Sequence, residues 1–260
     1  MLARAVHHHR VAPSAPTRAV VSGLFAYECE HDAPGVVIPR PEIQLVVRFG
    51  SMARSGLDVH AFGSRDRVHR KLIRSGQRTV TARLQLGATE AVLGVPAYAL
   101  TGRIVALEDL WGDAATDRLQ ARLAAARDTA DAASVLDDAI VERLANAAGP
   151  HAGAQLALAA AGRLASASVN AVAADLGVSE RHLRRLFLET VGVNPKTFAK
   201  ITRFQRALRA AREDAHAGWA GIAAAVGYYA QAHLIAEFRA IAGVTPPALL
   251  GELRAARSLG

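Results

Sequence analysis

Three arginines, Arg181, Arg184 and Arg185, stand within the run VSERHLRRLF. The chemistry open to them is forked hydrogen bonding to phosphate oxygens and to the O6 and N7 edge of guanine. At about 100° per residue they share one side of a helix whose other side carries Leu183, Leu186 and Phe187. Ser179 and His182 flank the same basic face. Farther along, Lys196, Lys200 and Arg203 recur on the outside of a second helical pattern, with Arg206 and Arg209 beyond them. A third run offers Gln231, His233 and Arg239. The common chemistry is contact with a polyanion, by base edges where the donors are forked and by phosphates elsewhere.

Other reactive side chains converge less well. Glu28, Cys29, Glu30, His31 and Asp32 form the densest group of potential bases and ligands, but alternate strand residues face opposite ways, so edge and loop positions suit them better. His60 and His69 lie on either side of an expected turn and would meet across a hairpin, where a metal would still need a third protein ligand. The chain contains no glycine-rich phosphate loop, nucleophile elbow or HExxH helix. We therefore assign no catalytic residue, metal or cofactor. His7 to His9 fall in a segment, residues 1–19, that reads as a disordered leader.

The elements that must position the arginines are periodic. Ser168 caps a helix with Val169, Val172, Ala173 and Leu176 at helical spacing; Gly177 makes a turn; Ser179 caps the next helix. The pattern then repeats. Ala173, Gly177, Leu183, Phe187, Gly192 and Pro195 are answered by Ala223, Gly227, Leu234, Phe238, Gly243 and Pro246, with one extra residue in the second turn. Asn194-Pro195 and Thr245-Pro246 each place a capping side chain before a proline at the first helical position. Internal repetition implies two equivalent helical units. Pro195 to Asp214 supplies a helix between them, with Ile201, Phe204, Leu208 and Ala211 inward. At ~1.5 Å per residue it is about 30 Å long, close to the roughly 34 Å turn of B-DNA.

The spacing from VSERHLRRLFLETVGVNPKTF, through RFQRALRAA, to IAAAVGYYAQAHLIAEFRAIAGVTP resembles the DNA-binding domain of AraC/XylS-type transcriptional regulators. The resemblance implies two helix-turn-helix units on one long helix, binding duplex DNA near promoters as activator or repressor, with RNA polymerase as a further partner. The two recognition helices are unequal: Arg181, Arg184 and Arg185 correspond to Ala232, Ile235 and Ala236. The family commonly has a polar or basic residue where this chain has Ala236, and an aspartate where it has Ala230. Tyr228 and Tyr229 are expected to close the core and turn. Residues 20–145, including VPAYALTGRIVALEDLWG, are similar to a regulatory domain of unassigned function fused to some members.

The resulting fold class is an α+β N-terminal domain, with an antiparallel or barrel-like sheet plus helices, followed by an all-α domain. Domain bounds are 20–149 for the regulatory, sensor or dimerisation domain, 150–166 for a linker and 167–254 for the DNA-binding domain. VVSGLFAYEC, EIQLVVRFG, DVHAFG and TVTARLQLG read as strands, and ATEAVLGV, ALEDLWG, TDRLQARLAAARD and ADAASVLDDAIVERLANAAG as helices, the last closed by Gly149-Pro150. His151 to Ala167 reads as alanine-rich helix. A small-molecule effector pocket, where one exists, draws on Val46, Phe49, Phe62, Leu84, Leu86, Leu93 and Trp111, although each also suits a core. Leu119, Leu123, Val135, Leu136 and Ile140 suit a homodimer seam or the cover of the sheet.

Composition narrows the classes. The 260 residues are 51% hydrophobic, long enough for two cores. Of the formal charge of +8, residues 163–260 hold +6, and 28 of 31 basic residues are arginine. Cys29 is the only cysteine, which excludes an internal disulfide and the zinc-bound cysteine cluster of some DNA-repair regulators with this type of DNA-binding domain. A reducing cytoplasm is the expected setting, with no signal peptide and no membrane span. The rival readings are an enzyme whose N-terminal domain modifies a small molecule while the other half tethers it to DNA, and an architectural DNA binder without effector.

Overall fold

The computed structural model describes all residues except 1–5, 51–52, 54–55, 146, 148–151, 166, 215–217 and 259–260. Its N-terminal part is a six-stranded antiparallel sheet in the order β1 (Val6–Val11), β2 (Val21–Cys29), β7 (Arg78–Leu84), β4 (Gln44–Phe49), β5 (Leu57–Phe62), β8 (Ile104–Ala106). A second sheet runs β6 (His69–Ile73), β3 (Ala33–Val37), β9 (Arg257–Ser258). The larger sheet is open, with β1 and β8 at its edges.

Strand alternation gives this sheet two unlike faces. Leu24, Ala26, Leu45, Val47, Val59, Ala61, Val80, Ala82 and Leu84 are buried on one side. Short helices α1 (Thr89–Leu93) and α2 (Glu108–Trp111), with the longer α3 (Asp113–Ala124) and α4 (Thr129–Leu144), close over them. Leu119, Leu123, Leu136 and Ile140 are at most 2% exposed in that core. They cover the sheet, with Val135 partly buried against the same core, so of the two roles open to this stripe the fold uses it as cover. The opposite face carries Gln44, Val46, Arg48, Phe62, Thr79 and Thr81 toward a cleft.

The C-terminal part is helical: α5 (Ala152–Arg163), α6 (Val169–Asp175), α7 (Glu180–Val191), α8 (Pro195–Glu213), α9 (Trp219–Val226), α10 (Gln231–Ala242) and α11 (Pro246–Ala255). Ala157, Ala160 and Ala161 of α5 pack with Val172, Leu183, Phe187 and Phe198 around the first unit. Phe204, Leu208, Ile222, Leu234, Phe238, Leu249 and Leu253 make the second core. Edge-to-face packing of Phe187 on Phe198 and the tilted pair Phe204 and Phe238 fix α8 against both units. Among the described residues no single helix is long and apolar enough to cross a membrane.

Two domain readings need correction. The segment 150–166 is no linker over Ala152–Arg163: its small alanines let α5 approach α7 closely and complete the first core. The leader is ordered from Val6, because β1 pairs with β2, while Ser14 N and Thr17 Oγ1 donate to the Asp137 carboxylate at 3.0 and 2.6 Å. Gly149-Pro150 lies outside the described residues.

Candidate nucleic-acid interface and ligand cleft

The second helix of each unit, α7 and α10, is set by the turn before it. Val178 N donates to Ala173 O at 3.0 Å and Tyr228 N to Ala223 O at 2.9 Å, so the two turns superpose through these residues. Gly177 at φ 69° and Gly227 at φ 87° supply the left-handed backbone that reverses the chain. In the first unit the Ser179 hydroxyl accepts from His182 N at 3.2 Å and caps α7. The Asn194 side chain accepts from Thr197 N at 2.9 Å ahead of Pro195 and caps α8. The second unit lacks these caps. Ala230 begins α10 with no side-chain cap, and Thr245 makes none for α11, contrary to expectation.

The outer face of α7 is basic and exposed at Arg181, His182, Arg184 and Arg185. Arg184 Nε donates to Glu180 Oε1 at 3.0 Å, and Arg185 Nη1 to Glu189 Oε1 at 3.1 Å, both as i,i+4 pairs. Such exposed pairs are worth roughly 0.2–1 kcal/mol, so they hold the guanidinium groups in place at low cost to exchange. Arg181, Lys196, Lys200 and Arg239 hold no ion pair among the described residues. Gln231, His233 and Arg239 are exposed on α10, with His233 edge-on to Tyr228 at 5.3 Å.

Arg203 is placed differently from the phosphate contact expected of it. Its Nη2 donates to Glu237 Oε2 at 2.8 Å, and its guanidinium lies 4.9 Å from the Tyr228 ring centroid. Tyr228 Oη also donates to the Glu237 carboxylate. Burial, then the bond to Glu237, raises the Tyr228 pKa above its ordinary value. Three side chains from α8, the turn and α10 therefore form an interior brace. Tyr228 closes the core as expected. Tyr229 does not: it is 99% exposed.

A cleft of about 900 Å³ opens between the polar face of the large sheet, strand β6 and the end of α7. Val46, Phe62, Leu72, Ile73 and Ile104 give it apolar walls; Arg48, Arg65, Arg67, Arg70 and Lys71 line it with cationic groups. Arg48 is neutralised by Asp58 at 2.8 and 3.0 Å, and Arg70 by Glu252 at 2.8 and 3.1 Å. Lys71 lines the cleft, and protein packed around it, then the positive charges of Arg65 and Arg48, push its pKa down. Desolvation and Arg65 likewise lower that of His69. Arg65, Arg67, His69 and Lys71 thus face the cleft with Asp66 as the acid among them, a set of groups that attracts an anion.

Of the seven apolar residues considered for a pocket, Val46 and Phe62 line the cleft. Phe49, Leu84, Leu93 and Trp111 are core, and Leu86 packs on the first helical unit. The cationic strand HRKLI was missed because four of its five residues are exposed and show no apolar alternation. His60 and His69 lie in different sheets and do not meet. Glu28 accepts from Thr129, Asp32 from Arg74 and Ser75, and the Cys29 thiol donates to His31 O, so that cluster is spent on local structure. Among the described residues no group of three or more His, Cys, Asp or Glu could hold a metal.

Residues 172–251 match the family model described as a helix-turn-helix domain. No curated protein matches the chain. Among solved structures, ToxT from Vibrio cholerae O395 is similar over 96% of this chain and 98% of that chain, at 11% identity and a TM-score of 0.42. Unsaturated fatty acid bound wild-type ToxT from Vibrio cholerae strain SCE256 is similar over 92% and 96%, at 9% identity and 0.42. ToxT bound to (E)-4-(8-methylnaphthalen-1-yl)but-3-enoic acid is similar over 95% and 98%, at 9% identity and 0.43.

Proposed function

We propose that this chain, whose residues 172–251 belong to the AraC-type helix-turn-helix domains, is a bacterial-type, cytoplasmic transcription regulator that reads a bipartite duplex site and answers to a small anionic effector. The observation that carries this reading is the contrast between the exposed basic face of α7, with Arg181, Arg184 and Arg185, and the exposed face of α10, where Ala232 and Ala236 alternate with Gln231, His233 and Arg239. Arg184 and Arg185 read base edges in the first half-site, with Arg181 and His182 beside them. Ser179 holds the start of α7, and Lys196 and Lys200 contact phosphates. Gln231, His233 and Arg239 engage the second half-site more loosely, and Arg203 leaves the list because Glu237 holds it.

One chain carries both reading heads on a 19-residue helix, so a single copy spans the site; RNA polymerase is the partner at a promoter. The effector occupies the 900 Å³ cleft, its anionic end toward Lys71, Arg65 and Arg67 and its apolar body along Val46, Phe62 and Ile104. The test is selection of bound duplexes by the full chain from pools randomised in each half-site, at two salt concentrations. The expected result is one information-rich half and one degenerate half, with affinity that falls steeply as salt rises. Equal information in both halves, or binding indifferent to salt, would overturn it.

A further inference from the structure

The second turn contains one residue more than the first, and the structure identifies it. Backbone bonds align Val178 with Tyr228, and the helix starts align Ser179 with Ala230, which leaves Tyr229 without a counterpart. The insertion has a physical effect: Tyr228 turns inward at 5% exposure, and Tyr229 is pushed out to 99%. Among the described residues it is the most exposed of the large apolar side chains, the next being Ile104 at 55%.

Its position says what it meets. In a helix-turn-helix the N-terminal residues of the recognition helix contact base edges while the first helix crosses the backbone, so the turn that joins them passes from the sugar-phosphate chain to the groove. Tyr229 stands at that point of the second unit, immediately before Ala230 and α10. The exposed face of α10 has few polar groups of its own, Gln231, His233 and Arg239. A phenol offers a hydroxyl donor for a phosphate oxygen and a flat ring for a deoxyribose.

Resting on the DNA-reading proposal above, we infer that Tyr229 is a neutral backbone anchor of the second half-site: its hydroxyl donates to a phosphate oxygen while its ring packs on the adjoining sugar. A neutral anchor has a signature that a lysine or arginine lacks. It strengthens binding to all sequences alike, and because it releases no counterion it leaves the salt dependence unchanged.

The experiment measures duplex binding by the full chain with Tyr229→Phe and Tyr229→Ala across a salt series, together with half-site selection. The side chain is wholly exposed, so neither change threatens folding. We expect Tyr229→Phe to weaken binding at least about tenfold, as loss of one hydrogen bond to a charged acceptor does. Tyr229→Ala should weaken it further, with the salt slope and base preferences unchanged in both. Wild-type affinity in Tyr229→Phe would overturn the phosphate anchor, as would a loss confined to one base pair, which would make Tyr229 a base reader. If the unmodified chain failed to bind duplex DNA, the functional reading itself would fall instead.

Discussion

Replacement of Arg203 by methionine separates an interior brace from a DNA contact. The Glu237 side chain is 7% exposed and would keep only the Tyr228 hydroxyl as partner. Breaking a buried ion pair costs about 3–5 kcal/mol, and because the Arg203 side chain is 27% exposed, solvent screens part of that loss. We expect about 2–3 kcal/mol of destabilisation, a fall in Tm of roughly 5–10 °C for a cooperative unit of this size. Adding Glu237→Leu removes the orphaned charge and should restore stability to within about 1 kcal/mol of the parent, since an apolar replacement of a buried pair is often neutral.

Thermal denaturation of the two single variants and the double variant measures the coupling. DNA binding across a salt series completes the assay. The folded double variant should keep the parental salt slope, whereas Lys200→Ala should reduce its magnitude by about 0.9, the contribution of one phosphate. If Arg203→Met left stability unchanged and cut the salt slope by that amount, Arg203 would be the phosphate contact and the brace would be wrong.

Other perturbations follow the same geometry. A fragment of residues 152–258 should bind duplex DNA in a salt-dependent way, whereas one starting at 167 loses α5 and should be much less stable, as far-ultraviolet circular dichroism on heating would show. The full chain should bind an alkyl carboxylate in the cleft. That affinity should decline as pH rises through the depressed Lys71 pKa, before the ordinary value near 10.5, since only the protonated amine attracts the anion; calorimetry with Lys71→Met should show no such decline. Gly63→Ala should cost more than about 3 kcal/mol in denaturant unfolding, because its Cβ would lie 1.5 Å from the Leu100 carbonyl oxygen and backbone would have to move.

The helical repeat was legible because its signals are local. Period 3.6, the Ser179 and Asn194 caps and the glycines of the turns are all written within a few residues. The central strands β2, β4, β5 and β7 were legible from β-branched and alternating runs. Strands β1, β3 and β6 were not, because VHHHRV, APGVV and HRKLI lack apolar alternation and owe their conformation to distant partners. Alanines in α5 read as a linker because side-chain size says nothing about how closely another helix approaches. The cleft escaped for a related reason: its cationic wall looks like a solvated face until the second sheet is laid over the first.

The same non-local contacts bear on how an effector reaches DNA. Val36 and Ile38 enter the second helical core, Val68 N donates to Ile241 O at 3.0 Å, and Arg70 Nη2 donates to Ala242 O at 2.9 Å. At the first unit, Thr101 Oγ1 donates to Gly192 O at the end of α7. The N-terminal domain therefore touches the end of α7 and the end of α10. The cleft is lined by Arg70, Thr101 and Gly192, members of both contacts. A ligand there shifts the pose of the two reading heads only by its differential affinity for the alternatives, and DNA must alter ligand affinity by the same factor. The exposed Arg70–Glu252 pair supplies at most about 1 kcal/mol of such a difference. A larger coupling has to come from the apolar body of the ligand wedging the sheet against the end of α7, so effector response should grow with ligand bulk and not with charge alone.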